Sequence, residues 1–180
     1  MRFKTLLLTL VALQPALNAG ARVITREEAL NVLFPGAQVR QTMIFLTDAE
    51  VKEASKLAGV EIPSALVARY DAVKNGIASG RAYLDTHVVR TKKESLLLLV
   101  DPEGRLLRVE VVAFLEPPEY MPPERWYRQF DGRALGDDLQ MKRAIHPVTG
   151  ATLSAKSTTE AVRRALAIDQ VLRRRPGAKP

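Results

Sequence analysis

Toward the C-terminus, Thr149-Gly150-Ala151-Thr152-Leu153-Ser154 runs straight into an alanine-rich helical sequence. That order puts a small glycine loop and the Thr152 hydroxyl at a helix start. The first amides of a helix lack internal acceptors and carry the positive end of its dipole, so a phosphate there gains hydrogen bonds and field together. Gly150 and Ala151 leave room for a ligand to approach the backbone. The same residues also describe an ordinary cap, with Ser154 accepting from the first-turn amides and Gly150 turning the chain. Spacing alone leaves both readings open.

Other chemistries lack their residue sets. The two histidines, His87 and His146, stand without a carboxylate cluster at ligand spacing, so no zinc or other metal site is expected. His87, in Thr86-His87-Val88-Val89-Arg90, reads as a surface or hydrogen-bonded sheet residue, whereas His146 lies six residues before Thr152, where it could neutralise a bound phosphate. Ser154, Ser157, Thr158 and Thr159 are potential nucleophiles without a positioned base or an oxyanion site. No catalytic residue set is expected. With no cysteine in the chain, thiol catalysis, iron–sulfur ligation, c-type haem attachment and lipoprotein acylation are excluded.

The elements that must position Thr152 follow from caps and alternation. Thr25-Arg26-Glu27-Glu28 is a capping box opening a short helix that ends at Phe34-Pro35-Gly36. A strand over 37–45 and a second capping box, Thr47-Asp48-Ala49-Glu50, lead to a helix stopping near Gly59. Strands are expected over 65–73, 80–90, 95–100 and 106–115, with turns at Asn75-Gly76 and Asp101-Pro102-Glu103-Gly104. The last pair is apolar on nearly every residue, which predicts central strands covered on both faces. Four prolines between Glu116 and Pro123 demand a stiff loop, followed by a short helix through Trp126 to Phe130. The final helix is expected from about Ser154 to Arg174, with Ala161, Val162, Ala165, Leu166, Ile168 and Leu172 covering the sheet. The predicted fold is α+β, an antiparallel sheet packed by helices, with the long C-terminal helix after the loop at 149–154.

The loop resembles the flavinylation motif of the FMN-binding domain family, which includes the covalently flavinylated subunits of the sodium-translocating NADH:quinone oxidoreductase and of the Rnf complex. That pattern reads roughly Asp-x-x-Ser/Thr-Gly-Ala-Thr, and its last threonine is esterified by the FMN phosphate. Thr149, Gly150, Ala151 and Thr152 match it, Leu153 and Ser154 continue into the helix in the family's style, and His146 stands at the acidic position. The likeness spans most of residues 25–172 in order of elements. It implies FMN as the cofactor, covalently held on Thr152 with Thr149, Gly150, Ala151, Leu153, Ser154 and His146 around it. It implies maturation by an FMN transferase that uses FAD and a divalent metal. Glu116-Pro117-Pro118 resembles the family's Glu-Thr-Pro-Gly loop beside the flavin ring, and Gly80-Arg81-Ala82-Tyr83 a strand stretch whose aromatic packs either on the flavin or in the core. Trp126 and Tyr127 read as a core plug or a partner-facing pair.

Residues 1–21 read as a secretory signal peptide: Arg2 and Lys4, an apolar run from Thr5 to Leu13, then Ala19-Gly20-Ala21. The run is shorter than the roughly 20 residues needed to span a bilayer. The expected location is the periplasm or the exterior of the cell envelope, with an uncleaved membrane tether as the alternative. One FMN-binding domain is expected over 22–174, with a basic tail at 175–180. The formal net charge of +7 falls to +5 once Arg2 and Lys4 leave. The basic tail suits a solvated helix end or peripheral contact with anionic lipid, and export argues against nucleic acid as a partner. The expected function is an electron-carrying flavoprotein serving a membrane redox partner. A flavin-free envelope scaffold of the same fold and a self-sufficient flavoenzyme are the alternatives.

Overall fold

The computed structural model describes residues 23–175. The leader expected at 1–21 and residues 176–180 of the basic tail lie outside them. Helix α1 (Arg26–Leu33) starts where the Thr25 hydroxyl accepts the Glu28 amide at 3.1 Å. Helix α2 (Asp48–Ala58) starts in a complete capping box: the Glu50 amide donates to Thr47 Oγ1 and the Thr47 amide to Glu50 Oε2. It stops at Gly59, whose φ of 66° an L side chain adopts at a cost.

Five strands form one antiparallel meander in sequence order: β1 (Gln38–Phe45), β2 (Leu66–Lys74), β3 (Ile77–Val88), β4 (Lys93–Val100) and β5 (Leu106–Phe114). Turn chemistry sets the β2–β3 hairpin, because Asn75 and Gly76 both take positive φ, 52° and 77°, as a turn matched to strand twist requires. Between β4 and β5, Asp101 Oδ1 accepts the Arg105 amide at 2.7 Å. The apolar β4 is an interior strand, and Leu96 to Val100 are fully buried. The other strand expected to be central, β5, lies instead at the sheet's edge with only some of its residues buried, because no strand follows it to pair with its outer side. Alternation divides them: Leu96, Leu98 and Val100 join the core under α2 and α4, whereas Leu97 and Leu99 meet Ala29, Leu30 and Phe34 of α1 on the opposite face.

After β5, a 3-10 turn (Pro118–Tyr120) occupies the proline loop and leads to α3 (Glu124–Tyr127) and a second 3-10 turn (Arg128–Phe130). Trp126, Tyr127 and Phe130 are buried, with the Trp126 ring edge-on to both neighbours at 5.2 and 5.3 Å. They are a core plug.

Helix α4 (Thr152–Arg173) begins two residues before the Ser154 expected from sequence and ends one residue before Arg174. Ser154 does not cap it: the cap position is Ala151, and the Ser154 hydroxyl donates instead to the Tyr120 carbonyl at 2.6 Å. The helix is also covered on more than the one apolar face expected. Arg163, Arg164 and Asp169 are buried with the aliphatic residues because each finds polar partners inside. Arg163 donates to the carbonyls of Ala58, Gly136 and Leu139, and Arg164 pairs with Asp85 through two bonds of 2.9 Å. The terminal arginines are engaged too: Arg174 with Glu53 at 3.0 Å, and Arg175 with Glu50 and the Phe45 carbonyl.

Candidate functional site

Gly150, at φ +85° with open space where a Cβ would sit, turns the chain into α4. Thr152 is the first helical residue and is exposed, its hydroxyl 3.4 Å from the Val148 carbonyl. No side chain caps this helix, so its leading amides receive no acceptor from the cap residue. The bond from the buried Ser154 hydroxyl to the Tyr120 carbonyl ties the first turn of α4 to the proline loop.

A cleft of about 180 Å³ opens beside this turn, lined by Gly150, Ala151, Thr152, Leu153 and Ser154 on one side and by Val89, Arg90, Glu116 and Tyr120 on the other. Arg90, Glu116 and Tyr120 also border a wider shelf of about 540 Å³ that continues over Thr91, Lys92, Leu115 and Pro117. The Arg90 guanidinium lies over the Tyr120 ring, 5.5 Å from its centroid. Arg90 is thus a positive charge facing the uncapped helix start. A second hollow, about 400 Å³ and lined in part by Val60, Met141, Pro147 and Lys156, reaches Thr152 from its other side.

Glu116 anchors the wall of this cleft. Its Oε1 accepts the backbone amides of Arg90, Thr91 and Lys92 at 3.1, 2.6 and 2.7 Å, which hold its carboxyl below the usual carboxylate range. Leu115 and Leu153, 62% and 49% exposed, flank the opening with apolar surface.

The structure brings Gly150, Ala151, Thr152, Leu153 and Ser154 together with Glu116 at one cleft, and leaves Thr149 exposed beside it. His146 is exposed and outside the cleft lining; its amide donates to Gln129 Oε1 and its carbonyl accepts from Trp126 Nε1. Tyr83 fills the core, its hydroxyl donating to Asp169 Oδ1 at 2.9 Å. His87 is a hydrogen-bonded sheet residue, held between Asp85 Oδ1 at 2.8 Å and Glu94 Oε2 at 3.1 Å. Arg90 and Tyr120 were not expected at this site. They reach it because the β3–β4 turn and the proline loop fold to the same end of the sheet as the start of α4, a juxtaposition that local spacing does not carry.

Among the described residues no group of three or more His, Asp or Glu side chains could hold a metal, and no helix is long and apolar enough to cross a membrane. Comparison with protein-family models, with curated proteins and with solved structures finds no match to this chain.

Proposed function

We propose that this chain is an exported electron-transfer protein carrying one FMN esterified through its phosphate to Thr152. The observation that carries the reading is the position of Thr152: an exposed hydroxyl on the first residue of an uncapped helix, beside a cleft holding Arg90. The residues present fit the group. Amides at the start of α4 and the Arg90 guanidinium would hold the phosphate, while Gly150 keeps the approach open. The shelf lined by Tyr120, Pro117 and Leu115 would hold the ring. The cofactor supplies the redox chemistry, accepting electrons in pairs and releasing them singly.

This chain's own contribution is positional. Glu116 fixes the backbone of residues 90–92, Arg90 balances the phosphate charge, and the Ser154–Tyr120 bond keeps helix start and shelf in register. A ring on an open shelf suits exchange with a docked redox partner more than turnover of a small enclosed substrate. The flavin is installed by an FMN transferase, and the donor or acceptor is a membrane redox protein.

Intact mass after co-expression with an FMN transferase tests the reading. Esterification adds about 438 Da to the chain, as FMN less one water, and a yellow colour; Thr152→Ala loses both. An unmodified, colourless protein despite ample FAD and active transferase overturns covalent attachment. Colour and added mass that survive in Thr152→Ala overturn the assignment of the residue.

A further inference from the structure

Of the two edge strands, β5 is met on its outer side by backbone bonds from Ile24 to Val111 and between Leu106 and residues 132–133, whereas β1 is the more open and presents different chemistry on its two faces. The Leu46 amide donates inward to the Ala65 carbonyl at 2.8 Å, so alternation along the strand sends the N–H and C=O groups of Val39, Gln41 and Met43 outward. On the face away from α4, Val39, Met43 and Phe45 are 36%, 49% and 71% exposed, in a row that exposed Gln41 interrupts between the first two, and Leu66 extends it beside Phe45. On the other face Gln38, Arg40 and Thr42 line a groove of about 780 Å³ that continues over β2 and β3 to Arg173.

That groove is basic. Register places Asp71 between Arg40 and Arg81 across three strands. Arg69 donates to Asp71 through Nε and Nη2 at 3.1 and 3.0 Å, and Arg81 and Arg173 share the buried carboxylate of Asp169. Four guanidinium groups therefore face two carboxylates, and Arg40 has no ion-pair partner among the described residues.

We propose that the β1 edge receives an extended segment of a partner protein as a sixth strand, one in which acidic residues alternate with apolar ones. Main-chain bonds to Val39, Gln41 and Met43 would supply affinity, and the two faces specificity. Carboxylates would enter the groove toward Arg40 and Arg69, while the intervening apolar side chains extend the row formed by Val39, Met43 and Phe45. The edge is suited to this: eight residues pair with β2 without proline and without a register shift, so its outer side is a regular template.

Charge selects the occupant. Residues 1–22 carry Arg2, Lys4 and Arg22 and no acid, and residues 176–180 contain Lys179 and two prolines. A second copy of β1 would bring another Arg40 and no carboxylate. An acidic strand of a partner protein answers both faces.

The test titrates the full chain with the peptide acetyl-Glu-Val-Glu-Val-Glu-Val-amide and follows backbone amide NMR signals. Expected are saturable binding that weakens as salt rises, shifts and slowed exchange at Val39, Gln41 and Met43, and no binding of the peptide with lysine in place of glutamate. Peptides N-methylated at every second residue, in either phase, identify main-chain pairing: one phase must fail. Arg40→Glu, at an exposed position, should weaken binding about fivefold or more with other signals unchanged. Absence of binding, equal binding by both N-methylated peptides, unchanged affinity in Arg40→Glu, or a footprint confined to the Thr152 cleft each overturns the proposal.

Discussion

Arg81 on β3 and Asp169 on α4, 88 residues apart in the chain, meet in the interior with Nε 2.6 Å from Oδ1, and both side chains are more than nine-tenths buried. Tyr83 and Arg173 donate to the same carboxylate, and Arg81 Nη2 also reaches the carbonyls of Asp101 and Pro102. The carboxylate thus joins sheet, β4–β5 turn and last helix. Removing it strands a buried cation, so Asp169→Ala should destabilise the fold by about 3–5 kcal/mol. Tyr83→Phe, which deletes one donor and keeps the ring, should cost about 1 kcal/mol. Chemical denaturation of the three proteins checks the order.

The His87 ring titrates in a range that can be followed directly. Burial pulls its pKa down, but the hydrogen bonds to Asp85 and Glu94 outweigh burial and hold it up at about 9. A folded-state value above the unfolded one contributes stability that is fully present below about pH 6.5 and is lost as pH rises through 9. Unfolding free energy should therefore fall between those limits. His87→Gln should flatten that slope. Imidazole NMR signals that titrate near 6.5 instead would contradict it.

Glu116 is expected to govern the β3–β4 turn through the three amides it accepts. Its carboxyl is held below the ordinary range, so the stability it contributes is present above about pH 4.5 and is lost as pH falls through the lowered value. In Glu116→Gln, hydrogen exchange at Arg90, Thr91 and Lys92 should accelerate while exchange in β4 stays slow. If FMN lies on the adjoining shelf, the same variant should retain the mass increment and shift the flavin's absorption.

Two changes at the start of α4 separate conformation from chemistry. Gly150→Val meets no neighbouring atom but imposes a β-branched side chain on φ +85°, at a cost of about 1–2 kcal/mol. FMN loading should drop although Thr152 is intact. Ser154→Ala removes the donor to the part-buried Tyr120 carbonyl, and should cost about 1 kcal/mol. Thermal melts together with intact mass distinguish a loss of fold from a loss of attachment.

Much of the architecture was legible in local sequence. Thr25, Thr47 and Gly59 marked helix ends, Asn75-Gly76 marked a hairpin, and the unbroken apolar run in β4 predicted its burial on both faces. Polar residues inside α4 were misleading. Arg163, Arg164 and Asp169 carry charges that imply a wet helix face, and their burial depends on Ala58 of α2 and on Asp85 and Arg81 of β3, two remote elements. The site was half legible: Thr149 to Ser154 form a local string, whereas Arg90 and Tyr120 arrive from remote turns. Ser154 was misread for a related reason, since its acceptor, Tyr120, lies 34 residues upstream.

The meander pairs each strand only with its sequence neighbour, so β1 through β5, with α2 between the first two, can zip up in chain order while later residues are still being synthesised. Thr152 differs. Its surroundings exist only after the last helix has swung across the finished sheet and the proline loop has closed beneath it. If an enzyme modifies this corner as proposed, it would sample completed molecules alone, and the modification would then be a stamp of successful assembly.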